Sequence, residues 1–291
     1  MNKTIRHILS LINRKAIPKH SGEEAYRLIK DSLTSDRPIM IARFGAVEIK
    51  VVLYAVLPFP LKFLLKSYVY SHIHTNAGFF PVNEEAINKF SKLMIESMKQ
   101  VDILASWRLE ELFFKKELCN KTKITLGDLG PTVNSGYSWS SVLKGKNVLV
   151  IHPFAKSIES QYNKNRTKLF PSPYILPEFK SLQIITAVQT IAGDTAGFNS
   201  WFDALKYMED EVLKKDFDIA LIGCGAYGFP LAAFIKSIGK KAIHIGSPLQ
   251  LFFGIKGKRW DNSGLYNEFW ISPSNNERPT GLNKVEGGCY W

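Results

Sequence analysis

Cysteine is scarce: Cys119, Cys224 and Cys289 are the chain's complement, far apart and without C-x-x-C or His-rich spacing. Neither a disulfide framework nor a structural zinc site is expected, and a reducing compartment fits best. Long apolar runs are also missing. The greasiest stretch, Val51 to Tyr70, is broken by Pro58, Pro60, Lys62 and Lys66, and falls short of the roughly 20 uninterrupted apolar residues of a spanning helix. The opening MNKTIRHILSLINRKAIPKH carries charge every few positions instead of the apolar core of a secretory signal. A cytoplasmic protein is expected, able to sit peripherally at the inner face of the membrane. H-E-x-x-H, the P-loop G-x-x-x-x-G-K-[ST] and G-x-S-x-G are absent, which removes the commonest hydrolase and NTPase motifs but not hydrolysis itself.

Negative charge is in short supply too. Against 38 Lys and Arg stand 26 Asp and Glu, a net charge of +12, which favours polyanionic partners such as nucleotide phosphates or anionic lipid head groups. Nucleic acid is the third candidate. Phe and Trp, however, lie mostly inside apolar runs instead of alternating with Lys and Arg, so no specific nucleic-acid signature emerges.

In residues 1–20, Ile5, Ile8, Leu9 and Ile12 share a helical face flanked by Lys3, Arg6, Arg14 and Lys15. This basic amphipathic helix either packs on the body or touches an anionic membrane. Ser21 and Glu24 make an S-x-x-E capping box for a helix through about Leu33. Short Ile, Leu and Val-rich runs follow at Pro38–Ala42, Val101–Ala105, Lys123–Leu126, Asn147–Ile151, Leu182–Val188, Asp218–Ile222 and Ala242–Ile245. They read as strands buried on both faces. Helical patterns lie between several of them, clearest at Asn83–Gln100 and Asn199–Lys215. The fold class is therefore α/β, Rossmann-like, with a largely parallel sheet and helices on both faces. Residues 21–261 form the catalytic domain on this reading, the Pro-rich patch Phe170–Pro177 an excursion or hinge, and residues 262–291 a C-terminal wrap or tail.

The sharpest local signal is the strand from Asp218 running into Gly223, Gly225 and Gly228, with Tyr227 in the turn. Such glycines allow a tight turn, and the N–H groups and dipole of the next helix favour a phosphate. A turn without a ligand is the plainer alternative. The following strand holds His244 and leads to Gly246 where an NAD site would place an acid on ribose, which argues against NAD. Beyond it, Gln250, Lys256, Lys258 and Arg259 lie on a loop that could close on a diphosphate, with Trp260 stacking; a solvated basic loop is the alternative. Near the start, Arg43, Gly45 and Glu48 bracket another strand-to-helix turn, pairing a cation for phosphate with a carboxylate for metal or base chemistry. Asp128 and His152 also follow strands. They are further catalytic candidates, against an Asx turn and a satisfied buried imidazole.

Arg43-Phe-Gly-Ala-Val-Glu48, taken with the glycine turn and strand at 218–246, resembles the GT-D class of bacterial glycosyltransferases found with surface-polysaccharide and glycoprotein genes. The similarity runs from about Asp36 to Trp260. In that class an arginine-aromatic-Gly-Asp-x-Glu segment supplies an Asp-x-Glu pair for a divalent metal. The resemblance implies that Arg43, Gly45 and Glu48 hold the corresponding positions, with Glu48 as metal ligand. Ala46 stands in place of the aspartate, which puts a Mn²⁺ or Mg²⁺ site in doubt. The implied donor is a nucleotide-sugar, UDP-linked by preference, and the acceptor a glycan or lipid-linked glycan of surface polysaccharide or glycoprotein. Another Rossmann-type nucleotide-cofactor enzyme, or a basic nucleic-acid- or membrane-binding module, are the competing readings.

Overall fold

An aliphatic run such as Ile39–Ala42 has no polar face to offer water, so it is stable only inside a sheet covered on both sides. In a computed structural model, which describes residues 19–132 and 137–291, it is the third of seven strands across. The amphipathic segment expected at 1–20 lies outside the described residues apart from Lys19 and His20. The strands are β1 (Ile39–Ala42), β2 (Ile103–Ser106), β3 (Thr122–Thr125), β4 (Asn147–His152), β5 (Ser181–Thr186), β6 (Ile219–Ile222) and β7 (Lys241–His244). All pair in parallel, in the order β3-β2-β1-β7-β6-β4-β5. This is an α/β, Rossmann-like sheet with helices on both faces.

The helices are α1 (Glu23–Thr34), α2 (Ala46–Val56), α3 (Phe59–Ala77), α4 (Glu84–Gln100), α5 (Lys115–Leu118), α6 (Ala155–Asn165), α7 (Trp201–Leu213), α8 (Gly228–Ser237) and α9 (Leu249–Phe252). Strand alternation divides the core. Met40, Ala42, Leu149 and Ile151 face α2, α3, α4, α7 and α8, while Ile39, Ile41, Val148 and Val150 face α1, α6, α9 and the C-terminal segment. Residues 170–179 are a packed excursion, with Phe170, Ile175, Leu176 and Phe179 buried.

Local side-chain caps set two of the helix starts. Asn83 Oδ1 accepts the Ala86 N–H at 2.8 Å to begin α4, and the Ser200 side chain accepts the Asp203 N–H to begin α7. The expected Ser21–Glu24 box does not form. Gly22 takes the cap position without a side-chain cap, its N–H donates to Asp128 Oδ1 at 3.1 Å, and Glu24 pairs with His20 at 2.8 Å. A tertiary tie to the loop after β3 thus replaces the local one. The broken stretch 51–70 forms parts of two helices, with Pro60 in the first turn of α3, where its missing N–H costs nothing. Among the described residues no helix is long and apolar enough to cross a membrane.

Register decides where function can sit. Ala42 and Ile222 both lie opposite His244, and Ile151 opposite Ile222, so β1, β7, β6 and β4 end level. From β4 the chain leaves through α6 towards β5; from β6 it leaves through α8 towards β7 on the other side. Departures in opposite directions open a crevice at the carboxyl ends of β4 and β6. Below that edge Phe44 stacks on Phe229 with centroids 4.1 Å apart, both fully buried, clamping the turn after β1 to the start of α8. We expect Phe229→Ala to lower unfolding free energy by about 3–5 kcal/mol. Urea denaturation checks this; a loss under about 1 kcal/mol would show that the stack is not a clamp.

Candidate functional site

Above the level strand ends lies a cavity of 460 Å³. Its walls include Arg43 after β1, Glu48 in the first turn of α2, His152 ending β4, Gly223, Gly225 and Tyr227 after β6, and His244 ending β7 with Gly246 beyond it. Gln250, Arg259, Glu286 and Tyr290 close the far side. The parallel sheet thus gathers residues more than 200 positions apart in the chain.

Arg43 and Glu48 form the charged floor. Gly45 opens α2 without a side-chain cap, and Glu48 folds back over this first turn onto the N–H groups of Val47 and itself. A carboxylate is favoured at the positive end of a helix. Burial nevertheless raises the Glu48 pKa above its ordinary value, its own and the Val47 N–H and the Arg43 charge offsetting only part. For Arg43, burial lowers the pKa and Glu48 works against it. The Arg43 guanidinium lies 5.1 Å from the centroid of the Trp107 indole, whose Nε1–H donates to the Phe44 carbonyl at 2.8 Å. Arg43 Nε is buried without a hydrogen-bond partner. The guanidinium is thus incompletely satisfied by the protein itself.

Glycine is needed here for room more than for rotation. A Cβ on Gly45 would collide with the Glu48 carboxylate, and one on Gly228 with the His244 ring. On Gly223 it would meet His152 Cδ2 at 2.7 Å, and on Gly246, at φ +76°, Arg43 Nη1 at 2.8 Å. Each polar side chain of the floor therefore lies against a glycine. Gly228 itself stands behind His244, outside the cavity lining.

The two histidines are buried and neutral. Burial lowers both pKa values to about 3, with the Arg43 charge a second cause for His244. His152 Nδ1 accepts the Phe154 N–H at 3.0 Å, so the neutral ring carries its proton on Nε2. Such an imidazole donates a hydrogen bond well and accepts a proton poorly. His152 thus lines the cavity as a neutral donor. His244 Nδ1 is buried without a partner.

The C-terminal segment forms the lid. Gln250 Nε2 donates to the Tyr290 carbonyl at 3.0 Å and the Lys256 carbonyl at 2.9 Å, so Gln250 fastens the tail with the amide expected to bind donor. Glu286 accepts from Arg259 and, at 3.0 Å, from Tyr290 Oη. The Arg259 guanidinium also lies 4.5 Å from the Tyr290 ring centroid. Neither Glu286 nor Tyr290, nor the cavity-lining Trp107, Asn76, Gln189 and Thr190, was marked by the sequence motifs.

Besides Gly228, three expected site residues lie elsewhere. Asp128 caps structure, accepting from Thr125 Oγ1 at 2.6 Å and from the Gly22 N–H, and does not line the cavity. Lys256 is drawn away because its N–H donates to the Ile271 carbonyl at 2.7 Å, leaving its ammonium 5.7 Å from the Tyr266 ring centroid. Lys258 is exposed in the turn Lys258–Trp260, and Trp260 packs against the lower core instead of capping the cavity. Arg259 is the one cation of that loop that lines the cavity. A divalent ion fits poorly here. Among the described residues no three His, Cys, Asp or Glu side chains are grouped to hold one, and Glu48 and Glu286 are already engaged by N–H groups and by Arg259.

No family model matches the chain, and no curated protein matches it. Three solved structures are similar across nearly its whole length. A selenomethionine form of a domain of unknown function 1792 has TM-score 0.48 and 13% identity, over 97% of this chain and 93% of the other. A second structure, described as the same domain with "a distinct glycosyltransferase fold", has TM-score 0.44 and 12% identity, over 94% and 95%. A third, "a new glycosyltransferase (DUF1792)" from Streptococcus sanguinis, has TM-score 0.42 and 11% identity, over 89% and 96%. TM-scores below 0.5 mark remote likeness and leave the function to be read from the cavity.

Proposed function

We propose that the chain is a glycosyltransferase that binds the diphosphate of a nucleotide-sugar, a UDP-sugar by preference, and passes the sugar to a glycan or lipid-linked glycan hydroxyl. The observation that carries this is the meeting of two guanidiniums, Arg43 and Arg259, with one buried carboxylate, Glu48, in a single cavity at the ends of four parallel strands. Guanidiniums suit phosphate oxygens, which they contact in a planar, bidentate way. The glycine turn before α8 adds N–H groups and a helix dipole of the right sign.

Glu48, with its pKa raised, is the base for the acceptor hydroxyl. That oxygen bonds to the anomeric carbon as the carbon–oxygen bond to the diphosphate breaks, and the electron pair leaves on the phosphate. Arg43 and Arg259 stabilise this leaving group without a step through a metal. His152 Nε2–H is a neutral donor to sugar or phosphate oxygen. For diphosphate to contact Arg259, its pair with Glu286 must open or be shared.

Three measurements test the reading. UDP should raise the melting temperature, and Arg259→Ala should weaken UDP binding about tenfold or more, whereas Lys258→Ala, on an exposed side chain, should leave it unchanged. Calorimetry that finds no UDP binding, or equal binding in Arg259→Ala, removes the donor assignment.

Glu48→Gln should lower turnover by about 100-fold or more with little change in melting temperature. Gly45→Ala should act in the same direction, because its methyl displaces the same carboxylate. Because the base must be ionised and its pKa is raised, the acid limb of the pH–rate profile should lie above the ordinary glutamate value of 4.5. Full activity in Glu48→Gln ends this role.

The neutral histidines set a stability window. Their folded pKa values, about 3, lie below the unfolded value of 6.5, so their contribution is complete above pH 6.5 and is lost as pH falls towards 3. Each should add a slope of up to about 1.4 kcal/mol per pH unit within that window. Urea titrations from pH 7 to 4, as bounds of about that window, should show a shallower decline in His244→Gln than in the parent. Equal slopes would mean that His244 is not buried neutral.

A further inference from the structure

Helix α3 is packed at one end and bare at the other. Val69, Ile73 and Ala77 are buried, Asn76 and Ala77 line the cavity, and Thr190 Oγ1 donates to the Gly78 carbonyl at 2.7 Å. The first half stands in solvent, with Phe59 80%, Phe63 75% and Leu64 74% exposed. Of the twelve large hydrophobic side chains exposed among the described residues, seven fall between Val56 and Tyr68. That concentration distinguishes a patch from the scattered exposure common on monomers.

Its chemistry narrows the occupant. Leu61, Phe63, Leu64 and Leu65 are too closely spaced to share one stripe, and at about 100° per residue they surround the helix. A protein groove is shaped to a single stripe, whereas fluid lipid adapts to apolar side chains that point in several directions. Lys50, Lys62 and Lys66 belong to the same region, over the rings of Tyr68, Tyr54 and Tyr70 at 5.4, 6.0 and 5.3 Å. No Asp or Glu occurs between Glu48 and Glu84. A second copy docked patch to patch would set these lysines against one another with no carboxylate from the segment between them. Phosphate head groups complement them, and lysine stems can lie along apolar surface while the ammonium reaches the head groups.

We infer that the N-terminal half of α3 is a membrane-docking element, inserting Phe59, Phe63 and Leu64 into the interface of an anionic lipid surface while Lys62 and Lys66 contact head-group phosphates. The helix lies on the surface; no described helix crosses the membrane. Its 19 residues, at 1.5 Å each, span about 28 Å, so one rigid element joins lipid to cavity wall. The inference stands whatever reaction the cavity performs.

The test is co-sedimentation of the full chain with phosphatidylcholine vesicles, with and without phosphatidylglycerol. Wild type should bind the phosphatidylglycerol vesicles, less so as salt rises, and phosphatidylcholine alone weakly. Phe63→Glu with Leu64→Glu should reduce binding about tenfold or more, with unchanged circular dichroism and melting temperature because both side chains already face solvent. Lys62→Glu with Lys66→Glu should abolish the preference for phosphatidylglycerol. No wild-type binding overturns the inference and leaves the patch to a protein partner. A wild-type dimer in gel filtration that the Phe63/Leu64 variant converts to monomer assigns it to a second copy instead. Binding lost on deletion of residues 1–17 but unaffected by the Phe63/Leu64 variant also overturns it.

Discussion

Holding an arginine and a glutamate at the carboxyl edge of a parallel sheet is the constraint to which the rest of the structure answers. Both groups are removed from much of the water that would solvate them, which burial shows by lowering one pKa and raising the other. They persist because each has nearby compensation: N–H groups at the start of α2 for Glu48, and for Arg43 the Trp107 face and the Glu48 charge. Space is the other requirement. The carboxylate lies where any residue but glycine at position 45 would carry a methylene, and Arg43 crosses the backbone at Gly246. Of the glycines that read as a phosphate motif, Gly223 and Gly228 thus first make room for polar side chains, while Gly225 serves the turn itself at φ +58°. The N–H groups of Gly223 and Gly246 are themselves taken up by the Ile151 and Ile222 carbonyls, so at these two positions room for the side chains is what glycine supplies.

That arrangement explains what was legible in the sequence. The seven strands were visible because a strand buried on both faces must be aliphatic throughout, and their ends agree with the expected runs to within about three residues. Arg43, Glu48, His152 and His244 could be placed near one another because residues after parallel strands share an edge. Asp128 follows a strand by the same rule. It is taken up by the start of α1, a contact with no local signature. Lys256 and Lys258 adjoin Arg259 in sequence, but the bridge between Ile255 and Ile271 turns their loop so that Arg259 alone of the three meets the cavity. Glu286 and Tyr290 were hidden because their segment has no period. Position there is set by Gln250 and Arg259, more than 25 residues earlier in the chain. Helix α3 escaped for the opposite reason, since apolar residues on several sides show no 3.6-residue stripe, and Pro58 before it with Pro60 in its first turn look like a break.

The tail and the floor also divide the work of charge. Arg259 is held by Glu286 and Tyr290, so its charge is kept balanced at the rim until another anion competes. Burial lowers its pKa, and Tyr290, Cys289 and Glu286 outweigh that and raise it. Arg43 is tied more loosely, with one N–H group unpaired. On the proposed function, an arriving phosphate would meet an exchangeable guanidinium at the rim and an incompletely satisfied one on the floor.

The net charge of +12 acquires a spatial meaning from the types of cation involved. Inside and around the cavity the cations are arginines, Arg43 and Arg259 in the wall and Arg108 on the Trp107 ring at 5.0 Å. On the exposed half of α3 they are lysines, Lys62 and Lys66, with Lys50 of α2 beside them over the Tyr68 ring. Guanidinium is weakly hydrated and planar, so it tolerates partial burial, stacks on indole and matches phosphate oxygens two at a time. Ammonium is strongly hydrated and flexible, and works best as a point charge kept in water over an apolar base. On the proposed assignments, the arginines suit a small ligand drawn out of water and the lysines an extended anionic surface that never leaves it.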